Sequence, residues 1–192
     1  MGYLERNSAG CFLFNKLVFN VVYAPYRCTY LSKWEFIPNS DGALSMTEDI
    51  SDLIRFSLEK FKSKSVYIMA YSFGGSPSLV ASTRFDEVSK IVIYAVPIYT
   101  DNQALNRKYE QKGDFMRQLG IAHSRMTEEG ILTTYKGFNL DAWVKMIEGR
   151  TELNPYKYLP QLSKKKILAI HGKKDKGVNH ERTKDFIEEL NR

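Results

Sequence analysis

Two periods of apolar residues alternate along this chain. Val66-Tyr67-Ile68-Met69, Ile91-Val92-Ile93-Tyr94-Ala95-Val96 and Ile167-Leu168-Ala169-Ile170 are short unbroken apolar runs rich in β-forming residues, and they predict buried strands. Between them the period lengthens. Met46, Ile50, Leu53, Ile54, Leu58 and Phe61 recur at intervals of three and four, the stripe of a helix that feeds the first of these strands. Ser45-Met46-Thr47-Glu48, a serine followed three residues later by glutamate, reads as the capping box that opens it. After the first strand a run of small residues predicts a second helix, with Pro77 in its first turn, where proline loses no needed hydrogen bond. Asn179 is placed to cap a last helix with Phe186, Ile187 and Leu190 inward. Nearer the N-terminus, residues 8–17 read as a short apolar helix and Val18–Ala24 as a strand. Pro25 ends that strand, and Tyr26–Ser32 follows as a loop.

Strands that alternate with helices predict an α/β fold, a parallel sheet with helices on both faces. Residues 99–160 break the rhythm. They are rich in Lys, Glu, Asn, Gln and Tyr and carry a weaker stripe at Leu140, Trp143, Val144 and Ile147. We read them as a helical cap inserted over the strand ends of a single domain spanning 1–192. Tyr109, Phe115, Tyr135, Phe138 and Trp143 pack this cap onto the sheet or line a pocket beneath it, and Asn154-Pro155 re-enters the core.

Composition narrows the class. At 192 residues with 43% hydrophobic and 26% charged side chains, the chain has the make-up of a globular domain large enough to bury a core. No apolar run approaches a membrane span and no signal-peptide pattern opens the chain, so a cytoplasmic protein is the expectation. Two cysteines, Cys11 and Cys28, make no disulfide framework, and no metal-ligand spacing is present. The net charge of +6 is densest at Lys164-Lys165-Lys166 and Lys173-Lys174-Lys176. No aromatic recognition motif accompanies these lysines, so they read as a solvated rim and not as a nucleic-acid site.

The chemistry concentrates at Ala70-Tyr71-Ser72-Phe73-Gly74, where the first strand turns into a helix. Small residues two positions either side of Ser72 let the backbone turn sharply and lift the hydroxyl to its apex. Free N–H groups at the helix start, that of Phe73 first among them, are placed to receive an oxyanion. The same strand–turn–helix unit also cradles phosphates, so a nucleotide-binding turn at Gly74-Gly75 is a further reading.

Ala70-x-Ser72-x-Gly74 resembles the Gly-x-Ser-x-Gly elbow of the α/β-hydrolase superfamily, and His171-Gly172-x-x-Asp175 resembles the strand end that delivers that family's acid. The flavour is that of the prolyl-oligopeptidase and serine-aminopeptidase branch. The resemblance implies a serine hydrolase cleaving an ester or peptide bond through an acyl-enzyme. Ser72 is then the nucleophile, Asp175 the acid, the Phe73 N–H an oxyanion donor, and no cofactor is needed.

A serine nucleophile needs a base, and this fold takes it from the chain after the acid. His180 is the substitute by chain order; His171 reads as a structural residue, and His123 lies in the cap. Cys28 and Trp34 stand where the family's loop carries glycine. The resemblance therefore implies a chain lacking the family's N-terminal strands and its C-terminal histidine segment. Such a chain is expected either to act on a small-molecule or peptide substrate or to be an inactive remnant serving binding. The missing strand would also favour a homo-oligomer formed by edge-strand pairing.

Overall fold

The computed structural model describes residues 19–22, 42–114 and 140–192. The expected helix at 8–17, the loop at 26–32, Cys11, Cys28, Trp34, His123, Phe115, Tyr135 and Phe138 lie outside them. In chain order the elements are α1 (Gly42–Phe61), β1 (Val66–Tyr71), a 3-10 turn (Ser72–Gly74), α2 (Gly75–Ser82), β2 (Val88–Tyr94), α3 (Gln103–Gln111) and α4 (Leu140–Ile147). A second 3-10 turn (Pro155–Tyr158) leads into α5 (Leu159–Leu162), β3 (Lys166–Ile170) and α6 (His180–Leu190).

The strands form one parallel sheet in the order β1-β2-β3, so the fold is mixed α/β. Its inner face carries Ile68, Ile91, Ile93, Ile167 and Ala169. They pack with Ile50 and Ile54 of α1, Leu79 and Ala81 of α2, Leu162, and Phe186, Ile187 and Leu190 of α6. The capped last helix is as the sequence predicts: the Asn179 side chain accepts the Glu181 N–H.

Four expectations are corrected. Among the described residues the helices cover one face of the sheet and not two. On the other face Tyr67, Met69, Tyr71, Tyr94, Leu168 and Ile170 are exposed, so these strands are half-buried and not fully buried. Tyrosine and methionine tolerate either environment, and an unbroken apolar run therefore hides an inside–outside alternation. The helix α1 starts at Gly42, a turn before the expected cap, which puts Ser45 inside its first turn. Serine and glutamate at this spacing favour a first turn as a whole without fixing its first residue. Strand β2 runs Val88–Tyr94, and at Ala95 the backbone turns to φ 50° while its N–H still donates to the Ile170 carbonyl of β3 at 2.9 Å. Residues 19–22 of the expected Val18–Ala24 strand are irregular and join no ladder, although the Phe19 ring meets Tyr67 edge-on at 6.3 Å.

Within the region expected as a cap, residues 99–114 and 140–160 are described. Helix α3 is capped by Asn102, whose side chain accepts the Ala104 and Leu105 N–H groups. It docks on α6 through Lys108, 2.7 Å from Asp185. Beneath lies a buried ion pair between the Arg182 Nε and an Asp114 carboxylate oxygen. Arg182 also donates to the Ile98 carbonyl at 3.2 Å and the Asn106 side-chain oxygen at 3.3 Å, and its guanidinium lies over the Tyr109 ring. These contacts satisfy the charges that burial would otherwise penalise. Gly149 follows α4 at φ 67°, in contact with the Thr100 backbone, a place no side chain could occupy.

Candidate functional site

Parallel strands bring all three C-terminal ends to one edge of the sheet, where open α/β sheets place their ligand sites. Ser72 follows β1 directly and has φ 50°, a left-handed backbone that costs a non-glycine residue free energy. Two contacts hold the turn in this shape. Gly75 lies against Val96 so closely that a Cβ would stand 2.1 Å from a Val96 methyl carbon. Next to it, the buried Ser76 hydroxyl donates to the Pro97 carbonyl at 2.9 Å. Both tie the start of α2 to the chain leaving β2. Phe73 packs against the cluster of Tyr99, Met146, Ile147, Leu153 and Val178, which anchors the residue whose N–H follows the serine.

Asp175 lies in the loop after β3. One carboxylate oxygen accepts the backbone N–H groups of Gly177 at 2.8 Å and Val178 at 3.1 Å, and the other lies 3.4 Å from His171 Nε2. Burial pushes its pKa up, but the Val178 and Gly177 N–H groups and the His171 ring more than offset this and hold it below the usual carboxylate value. His171 is enclosed, with its side chain 6% exposed. Its Nδ1 pairs with the Thr183 hydroxyl at 2.8 Å and its Nε2 with the Val178 carbonyl at 3.1 Å. A carbonyl only accepts, so Nε2 carries the proton. Both ring nitrogens are thereby committed to holding the loop on α6, the structural role read from the sequence.

His180 opens α6 at the same edge, with its Nε2 3.7 Å from a Glu181 carboxylate oxygen. Ser72 and Asp175 follow β1 and β3, which are separated by β2, so their strands stand roughly 10 Å apart, two strand spacings. The sheet gathers Ser72, Asp175 and His180 at one edge, and among the described residues no hydrogen bond or ion pair joins any two of them. Among those residues, too, no group of three or more His, Cys, Asp or Glu side chains could hold a metal ion.

Sequence reasoning missed the positive φ at Ala95, the Gly75–Val96 contact and the Ser76–Pro97 hydrogen bond. The signal was there in part: Gly74-Gly75-Ser76 is smaller than a helix start requires, and small residues mark a close approach of backbone. No known protein-family model matches the chain, and a search of curated proteins found no match either. No described helix is long and apolar enough to cross a membrane.

Proposed function

We propose that this chain is a serine hydrolase of the α/β-hydrolase type that cleaves a carboxylic ester or peptide bond through an acyl-enzyme on Ser72. The observation that carries this reading is the serine held at φ 50° between the end of β1 and α2, at the carboxyl edge of a parallel sheet. Strain at a single polar residue, kept by a close helix–strand contact, is the feature a nucleophile turn requires.

In this reading the Ser72 hydroxyl attacks the substrate carbonyl carbon and gives up its proton to His180, with Asp175 as the supporting acid. The Phe73 N–H donates to the oxyanion. Collapse expels the leaving group, protonated by the same base, and water then releases the acyl group by the reverse sequence. His180 must swing from Glu181 toward the serine, a side-chain rotation open to a residue one third exposed (34%).

The test is labelling of the folded protein with a fluorophosphonate, read by intact mass. A single adduct is expected on the wild-type chain, none on Ser72→Ala, and at least about tenfold slower labelling in His180→Gln. A cooperatively melting wild-type protein that takes no adduct sinks the hydrolase reading.

A second reading has its own support: Asp175 is already committed to its loop, and no base contacts Ser72 among the described residues. On that reading the chain is an inactive remnant that keeps the turn as inherited architecture and serves binding. Absence of labelling with retained folding is its expected outcome.

A further inference from the structure

The open face of the sheet is built like an interface. Strand register sets its side chains in three rows: Tyr67–Lys90–Lys166, Met69–Val92–Leu168 and Tyr71–Tyr94–Ile170. Met69 is 68% exposed, Tyr71 67% and Leu168 57%, levels far above those of the inward-facing residues of the same strands. With an aromatic side chain carrying about 150–250 Å², the exposed parts of these rows sum to on the order of 600–800 Å². That exceeds the largest apolar patch of most monomers, and it matches the roughly 800 Å² each partner gives a stable complex.

The face also carries its lysines at one end only. Lys90 and Lys166 stand side by side in the row at the N-terminal ends of the strands, and the stacked pair Tyr71–Tyr94, 5.4 Å between centroids, stands in the row at the other end. We propose that two copies of this chain pack face to face through these rows, with their strands antiparallel. A twofold axis in the sheet plane and across the strands sets the lysine row of each copy over the uncharged tyrosine row of the other, which keeps the lysines of the two copies apart. It sets Met69, Val92 and Leu168 against their own counterparts. The other twofold, along the strands, would bring Lys90 onto Lys90 and is disfavoured by like charge.

Single-stranded nucleic acid, the other partner that tyrosines and lysines suggest, fits less well. Bases need open aromatic faces. Here Tyr71 and Tyr94 face each other, and the Tyr67 ring is covered by the Lys90 ammonium at 4.8 Å. The pairing does not depend on the chemistry of Ser72, since none of its residues belongs to the proposed catalytic set.

Sedimentation equilibrium on the wild-type chain and on Met69→Glu and Leu168→Glu tests this directly. The wild-type mass is expected to rise from 22.2 kDa toward twice that value with concentration. Each variant, with its change at an exposed position, is expected to keep the wild-type circular dichroism and to weaken dimerisation at least about tenfold, because a carboxylate is buried without a partner. In a background with Cys11 and Cys28 changed to serine, Val92→Cys should cross-link to its own copy on oxidation and Lys90→Cys should not. A wild-type chain that stays monomeric at every concentration overturns the proposal, whether or not the face is then found protected by another segment of the chain. So does a dimer that survives Leu168→Glu, which would place the contact away from this face, and so does binding of an oligonucleotide that Met69→Glu abolishes without any wild-type dimer.

Discussion

Ser72 holds the most costly backbone conformation in the proposed site. A polar residue at φ 50° pays for that geometry unless its neighbours impose it, and the neighbours here are Val96 and Pro97. Replacing Ser72 by glycine, which adopts this φ freely, is expected to leave the protein as stable or more stable by up to about 1 kcal/mol in urea unfolding, part of the relief being lost to the freer unfolded chain. The same variant is expected to take no fluorophosphonate. A loss of stability well beyond that range would mean the serine side chain holds the turn together. His171 behaves in the opposite way: it carries no strain, both its ring nitrogens are occupied, and its worth is structural.

At the scale of elements, the turn depends on how tightly α2 sits on the end of β2. Gly75 is the contact point, so Gly75→Ala must push Val96 aside, at an expected cost of about 1–3 kcal/mol in urea unfolding. Because that shift moves the turn, labelling at Ser72 is expected to slow as well; unchanged stability would show that Val96 yields freely. This arrangement was half legible in the sequence. The strand, the sharp turn, the Pro77 helix start and the Asn179 cap follow from local rules of backbone geometry, and all four stand in the structure. The first residue of α1 and the exit from β2 were misplaced, since Ser45 and Ala95 carry only weak local preferences. The one-sided sheet was missed for a different reason. Tyr67, Met69 and Tyr71 count as apolar, so their alternation with Val66, Ile68 and Ala70 vanishes into one continuous run. Nor did anything near Arg182 mark it as buried, because its partner Asp114 is 68 residues away.

Over the whole molecule, Arg182 is the fastening between the segment that follows β2 and the last helix. Arg182→Met breaks this buried pair and takes a donor from the Ile98 and Asn106 oxygens, and it is expected to cost about 3–5 kcal/mol in urea unfolding. Arg182→Met combined with Asp114→Leu should recover a large share of that loss, because breaking one side of a buried ion pair costs more than replacing both members by apolar side chains. A double variant no better than the single one would place the cost in the Ile98 and Asn106 contacts instead. The same fastening bears on how the chain is born. At about 5–20 residues per second, the 68 residues between Asp114 and Arg182 take roughly 3–14 s to synthesise. Throughout that interval the nascent chain carries Asp114 without the guanidinium that pairs with it in the folded protein. The contacts that fasten residues 98–114 to α6 are therefore complete only once Arg182, in the first turn of that helix, has been made.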